Sequence, residues 1–155
     1  MVDQQHANAT DPNIHEPKDI TTANSGDVYV ADGANSGAWK ANLNKYVVTK
    51  EIADVSTASS TFFAAPVAGK IVNIYMIVDG VITSANAVIS TEINGVAVTS
   101  GDMTILFTGA AVGDNYQSTP SGTNTVSPGD KVEVITDGAS STAVKATLTY
   151  VIKVD

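Results

Sequence analysis

Val144-Lys145-Ala146-Thr147-Leu148-Thr149-Tyr150-Val151-Ile152-Lys153-Val154 decides the fold. Val144, Ala146, Leu148, Tyr150, Ile152 and Val154 fall on one side, and Lys145, Thr147, Thr149 and Lys153 on the other. A period of two with an apolar and a polar phase is the pattern of a half-buried β-strand with one wet face. The same period recurs at Met103, Ile105 and Phe107, and at Val132 and Val134. Ala87, Ile89 and Ile93 line one face of a segment that runs into Asn94-Gly95 and then Val96-Ala97-Val98. Asn and Gly both accept positive φ, so this dipeptide between two apolar runs predicts a tight hairpin. The segment 70–79 is different. Val72, Ile74, Met76 and Val78 form one apolar face, but Ile71, Tyr75 and Ile77 occupy the other. Both faces need cover, as in a central strand or a strand whose outer face meets another subunit.

Strands are predicted over 45–55, 60–65, 70–79, 85–93, 96–99, 103–108, 131–137 and 142–154, and helical spacing is sustained nowhere. The expected fold class is all-β: an antiparallel β-sandwich, jelly-roll or Ig-like, of about eight strands. Residues 109–129 carry Gly, Ser, Pro and Asn throughout and read as a long contact loop. Phe62 and Phe63 are adjacent, so they point to opposite faces and one of them leaves the core, for a subunit interface or an open end of the sandwich. Upstream the period disappears. Residues 1–26 are polar and include Pro12 and Pro17, which predicts an extended arm that needs a partner to hold it. Val28-Tyr29-Val30, the Asp32-Gly33 turn and the Ser36-Gly37 turn ending at Trp39 predict a short hairpin or hook. The expected organisation is therefore an extended arm with a short hairpin over 1–44, then a β-sandwich over 45–155.

Composition excludes several function classes. Hydrophobic residues make up 43% of the 155, enough for a core, whereas charged residues make up only 15%. Soluble proteins usually carry about 25% charged residues, so this surface is covered by Thr, Ser, Asn and Ala. Net charge is −8 and every one of the eight cations is a lysine. Phosphate neutralisation needs clustered cations, so neither nucleic acid nor an anionic membrane is an expected partner. With no cysteine, disulfides and thiolate chemistry are ruled out. No apolar run reaches the roughly 20 residues of a membrane helix. Met1-Val2-Asp3-Gln4-Gln5-His6 has no basic or apolar leader pattern, which predicts synthesis in a cytoplasm.

Chemistry-bearing constellations are sparse. His15-Glu16 has no second histidine four residues on, and the other histidine, His6, lies in the same arm. A Ser–His–Asp arrangement has no histidine to draw on within the β domain. Paired carboxylates would come from Glu51, Asp54, Glu92 and Glu133, all on the wet phase of strands, where solvated charges belong. Asp27, Asp32 and Asn35, together with Asp130, are the oxygen ligands a Ca²⁺ site would use, but they follow no EF-hand spacing and Asp-Gly is ordinary turn chemistry. The expectation is no enzyme, no catalytic residue, no metal and no cofactor. Trp39, the only tryptophan, either anchors a partner or packs the hairpin.

Two blocks of sequence resemble a known family. Ile14-His15-Glu16-Pro17-Lys18-Asp19-Ile20, Gly26-Asp27-Val28-Tyr29-Val30-Ala31-Asp32-Gly33 and Ser36-Gly37-Ala38-Trp39 resemble an N-terminal cassette of tailed-bacteriophage structural proteins, especially small head-decoration proteins. Asp19 stands where that pattern has Gly, which alters the local turn. Gly69-Lys70-Ile71, Val78-Asp79-Gly80-Val81-Ile82-Thr83, Ile93-Asn94-Gly95-Val96-Ala97-Val98 and Ser127-Pro128-Gly129-Asp130-Lys131-Val132-Glu133-Val134 resemble the β domain of phage head-decoration (cement) and head-fibre proteins. The resemblance implies a capsid decoration protein on the virion exterior, with the major capsid protein and copies of itself, as a homotrimer, for partners. It assigns docking to Ile14, His15, Glu16, Pro17, Lys18 and Trp39. The alternative is a tail- or head-fibre domain that binds host glycans, with Tyr116 as its aromatic platform.

Overall fold

The computed structural model describes residues 27–33, 36–40 and 44–154. The chain divides into two compact units, residues 1–43 and 44–155. In the first, β1 (Val28–Gly33) and β2 (Ser36–Lys40) pair antiparallel with Tyr29 opposite Trp39, and the register shifts between Ala31 and Gly33.

The second unit carries β3 (Lys45–Ile52), β4 (Ser59–Ala64), β5 (Gly69–Val78), β6 (Ala87–Ile93), β7 (Val96–Ala97), β8 (Met103–Ile105), β9 (Asn115–Ser118), β10 (Thr125–Val126), β11 (Lys131–Thr136) and β12 (Ala146–Val154). One sheet runs β3-β12-β5, with β9 and β10 sharing the far edge of β5. The other runs β4-β11-β6, with β7 and β8 sharing the far edge of β6. Every pairing is antiparallel. If β7 with β8, and β9 with β10, are each taken as one interrupted strand, successive strands alternate between the sheets, except at the β6–β7 hairpin, in a jelly-roll order. In chain order the first, eighth, third and sixth strands form one sheet, and the second, seventh, fourth and fifth form the other. Of the two sandwich topologies the sequence allows, the strand order selects the jelly roll.

The core fills from the inward phases of both sheets. Ala146, Leu148, Tyr150 and Ile152 of β12 and Ile74, Met76 and Val78 of β5 are buried, as are Ala87, Ile89 and Ile93 of β6 and Val132 and Val134 of β11. Each fully buried Ile or Leu contributes about 1.5–3 kcal/mol relative to an exposed one. Tyr150 is the one large side chain here with a polar tip. Its hydroxyl and the Thr91 hydroxyl share a buried hydrogen bond of 2.9 Å, and the Phe63 ring packs on it with centroids 5.1 Å apart. Burial drives the Tyr150 phenol well above its usual pKa, so it stays a neutral donor. The adjacent Phe62 leaves the core and is 48% exposed, as the alternation of the pair requires. The Asn94-Gly95 hairpin also forms as expected, with φ of 52° and 84° at its two residues.

Three expectations are corrected. First, β5 does not alternate regularly. Ile152 pairs with Ile71 and Val151 with Asn73, so one residue is inserted between them, a β-bulge. The bulge changes the phase, so Ile71, expected on the outer face, is fully buried, and Val72 is only half-buried. Second, 109–129 is not structureless: it holds β9 and β10, which both hydrogen-bond to β5. These strands are four and two residues long and polar, so no period reveals them. Third, β8 stops at Ile105. The Phe107 amide donates to Asn86 Oδ1 at 3.1 Å, and Phe107 turns to solvent rather than extending the apolar face of Met103 and Ile105.

Candidate docking surface

Ile14, His15, Glu16, Pro17 and Lys18 lie outside the described residues. Trp39 lies in β2, opposite Tyr29 in the backbone register. The surface that can be built from the residues upward is therefore that of the sandwich, and its two lateral sides differ.

One side is closed by hydrogen bonds from sheet to sheet. Thr99 follows β7 in one sheet and Gly122 lies between β9 and β10 in the other, and the two form an antiparallel bridge. The Thr99 amide donates to the Gly122 carbonyl at 2.9 Å, and the Ser121 amide donates to the Thr99 carbonyl at 3.0 Å. Hydroxyl pairs Ser100–Ser121 and Thr99–Thr123 reinforce the seam at 2.9 and 3.1 Å. Ser118 Oγ donates to the Gly101 carbonyl below it. The short, polar sequence of this region, Ser, Thr, Gly and Asn apart from Pro120, lets the two backbones approach and supplies the hydroxyls. Ser100 and Thr123 adopt positive φ to make the corner.

The other side is open. Among the described residues β3 pairs only with β12, and β4 only with β11. β3 is eight residues long with an unbroken register and no proline. Tyr46 and Val47 are 51% and 59% exposed. A long, flat, β-branched edge of this kind is a template for pairing with another chain. Its one protection is charge: Lys45, Lys50 and Glu51 interrupt the apolar run, and Lys50 sits on the inward phase.

The outer face of the β3-β12-β5 sheet is ordered by charge. At one end Lys45, Lys153 and Lys70 stand side by side across three strands. No carboxylate among the described residues pairs with any of them. Next come Val47, Val151 and Asn73, then Thr49, Thr149, Tyr75 and Gln117, then Glu51, Thr147, Ile77 and Asn115. At that far end Lys145 Nζ lies 3.3 Å from Glu51 and 3.0 Å from Asp79, and these carboxylates raise its pKa. Two carboxylates share one ammonium, which leaves a net negative charge. The middle of the face is apolar and hydroxylated, with Tyr75 and Ile77 exposed.

The carboxylates weighed as catalytic do not converge. Asp54 accepts from the Ser56 amide and from the Ser56 and Thr57 hydroxyls, and these hydrogen bonds hold it below the usual carboxylate range. Glu133 bonds Lys131 Nζ at 3.0 Å, which lowers its pKa, and the same ammonium lies 5.1 Å from the Phe62 ring centroid. Glu92 stands directly opposite Glu133 in register, on the outer face of the second sheet. Asp130 clasps two turns together: Oδ1 accepts from Asn94 Nδ2 at 2.9 Å, and Oδ2 accepts from the Ser127 amide at 2.7 Å. Asn94 Oδ1 in turn accepts from the Lys131 amide at 3.0 Å. That Asn94 bond is the main reason Asp130 titrates low. Among the described residues no three His, Cys, Asp or Glu side chains gather where they could hold a metal. Tyr116 is not an open platform. It lies in β9 opposite Met76, half-buried against the core, and burial followed by the Asp114 charge raises its phenol.

The carboxylates Asp54, Asp130 and Glu133 and the Tyr116 ring are thus held in local structure, and the open β3 edge and the lysine row were missed. The pattern Lys45-Tyr46-Val47-Val48-Thr49-Lys50-Glu51, with lysine on both phases, is the signal that could have marked β3 as an edge.

No protein-family model matches the chain, and no curated protein matches it. Solved structures do match. Among them is a chain from the acidic stable capsid structure of Helicobacter pylori bacteriophage KHP30, with 12% sequence identity and a TM-score of 0.49 over 83% of this chain and 91% of that one.

Proposed function

We propose that this chain is a virion structural protein, a decoration or cement protein on the exterior of a tailed-phage head that binds the major capsid protein lattice and stabilises it. The observation that carries the reading is a jelly roll with an outer sheet face that is apolar and hydroxylated in the middle, between two charged ends, downstream of a separate unit that bears the decoration-type cassette. Jelly rolls recur in capsid domains, which is support by fold analogy. Exposed Val47, Phe62, Tyr75 and Ile77 favour a surface that packs against neighbours over one that is fully solvated.

In this reading the arm, residues 1–44, lies across capsid subunits and adds main-chain hydrogen bonds by strand addition, with Ile14, His15, Glu16, Pro17, Lys18 and Trp39 as its contacts. Pro17 lowers the ordering entropy the segment loses on docking. Weak contacts repeated around a symmetric lattice sum through effective concentration.

Co-sedimentation with undecorated capsids tests this. The full chain pellets with capsids, a chain lacking residues 1–26 does not, and Ile14→Asp weakens binding more than any single charge removal in the sandwich. Burying an unpaired carboxylate costs several-fold more than losing a surface ion pair, which is worth under about 1 kcal/mol. If the full chain fails to pellet, the reading is wrong. If the truncated chain decorates capsids at full occupancy, docking lies in the sandwich.

A further inference from the structure

We infer that the open β3 edge is a self-association site: two copies of this chain pair β3 against β3, antiparallel, about a two-fold axis through Val48. The inference is independent of the capsid reading and concerns the free protein.

The argument begins with the edge itself. β3 is eight residues long and pairs on one side with β12, so the main-chain groups of alternate residues on its other side have no strand partner among the described residues, while the opposite lateral side of the sandwich carries the Thr99–Gly122 bridge. A strand added there extends the β3-β12-β5 sheet without disturbing any existing hydrogen bond. A second copy of β3 brings an identical edge, and identical surfaces meet most simply about a two-fold axis.

Register then follows from side-chain phase. Residues 45, 47, 49 and 51 lie on the outer face, opposite Lys153, Val151, Thr149 and Thr147 of β12. Residues directly opposite each other in an antiparallel ladder share a face. An odd residue of one copy must therefore face an odd residue of the other, so the axis passes through a residue and not between two. An axis at Lys50 sets that lysine against itself. An axis at Thr49 sets Glu51 against Val47, and one at Val47 sets Lys45 against Thr49. The axis at Val48 sets Lys45 against Glu51 at both ends of the ladder, Tyr46 against Lys50, Val47 against Thr49, and Val48 against Val48.

Charge selects the same register. The Lys45–Lys153–Lys70 row has no carboxylate paired to it among the described residues, and the Glu51–Lys145–Asp79 cluster carries one more negative than positive charge. The two-fold through Val48 places the basic end of each copy beside the acidic end of the other. On a chain of net charge −8, which otherwise repels its own copies, this is the alignment that turns repulsion into attraction. Tyr46, exposed on the inward phase, gains an ammonium neighbour in Lys50 of the second copy.

The chain has no cysteine, so a single introduced thiol reports the register directly. Opposed residues in an antiparallel ladder have Cα atoms about 4.5–5.5 Å apart, within the range a disulfide spans. In the full chain, Val48→Cys forms a disulfide-linked dimer on mild oxidation. Val47→Cys alone does not, because it faces Thr49, but Val47→Cys mixed with Thr49→Cys does. In light scattering at micromolar concentration the wild-type protein has twice the chain mass. Lys45→Glu weakens the dimer about tenfold by setting like charges opposite each other at both ends, and Lys45→Glu with Glu51→Lys restores it. A monomer, or the three chains per particle that the family resemblance implies, overturns the inference. So does equal cross-linking at 47 and 48, or a double variant as weak as Lys45→Glu. If Lys45→Glu does not fold, the thiol series, which leaves the charges intact, decides the question.

Discussion

The two lateral sides of this sandwich are made from the same chain by opposite means. On the β7–β10 side, backbone and hydroxyl groups of Thr99 and Ser100 hydrogen-bond to Ser121, Gly122 and Thr123 of the other sheet. On the β3–β4 side the described residues form no β-bridge between the two edge strands, and the β3 edge is defended by charge. A seam made of main-chain hydrogen bonds contributes to folding stability at any concentration. An edge held off by charge leaves that free energy for association. The difference is legible in composition: the seam is Thr, Ser and Gly, and the edge is Lys, Tyr and Val.

The sharpest way to break the comparison is to remove a donor from the seam. Thr99→Pro deletes the amide that reaches Gly122 and is expected to cost about 3 kcal/mol in denaturant unfolding. Val47→Ala on the open edge changes the same measurement by no more than about 0.5 kcal/mol, because the side chain is already in solvent. Equal costs would mean that the edge is as integral as the seam. A smaller loss follows from Thr91→Val, between the two sides. It leaves the buried Tyr150 hydroxyl without its partner, for about 1–3 kcal/mol, and Tyr150→Phe introduced with it recovers most of that loss. No recovery would show that the pair acts through packing alone.

The smallest effect is with acid. Asp54, in the turn that leaves β3, and Asp130, in the turn that enters β11, both titrate below their ordinary value because they accept hydrogen bonds. A carboxylate with a depressed folded pKa stabilises the fold above its unfolded pKa, about 3.9 for Asp, and loses that contribution as pH falls through the folded value. Thermal melts are therefore expected to hold from pH 7 to pH 5 and to decline below pH 4. The decline is shallower in Asp130→Ala, which has already lost the clasp to Asn94 and Ser127. A decline that begins above pH 5 would point to a group other than these.

What the sequence revealed and what it hid divide along a physical line. The phases of β6, β11 and β12 and the Asn94-Gly95 turn are local facts, written in alternation and in residues that accept positive φ, and each formed as read. β9 was hidden because its four residues, Asn115-Tyr116-Gln117-Ser118, carry no apolar period. It is a strand because β5 lies beside it. The bulge in β5 was hidden for the same reason. Asn124 fits the distortion: its side-chain amide donates to the Ile71 carbonyl, and its own carbonyl accepts from the Ile71 amide, a contact across 53 residues that no local pattern encodes. Whether β3 is an edge is likewise a property of strand order. The arm residues Ile14 to Lys18 carry the family resemblance and lie outside the described structure.

One feature of the topology reaches back to how the molecule is made. β12 is the last strand of the sandwich to be synthesised, yet it lies in the middle of its sheet, between β3 and β5, and supplies Leu148, Tyr150 and Ile152 to the core. Until it emerges, β3 and β5 have no common partner and their inner faces stay wet. Folding therefore waits for the ribosome to deliver Ala146–Val154, and the contacts then made span about a hundred residues of chain, which favours slow closure. During that interval β3 and β5 expose unpaired main chain and apolar faces, so nascent copies on one messenger are exposed to mispairing.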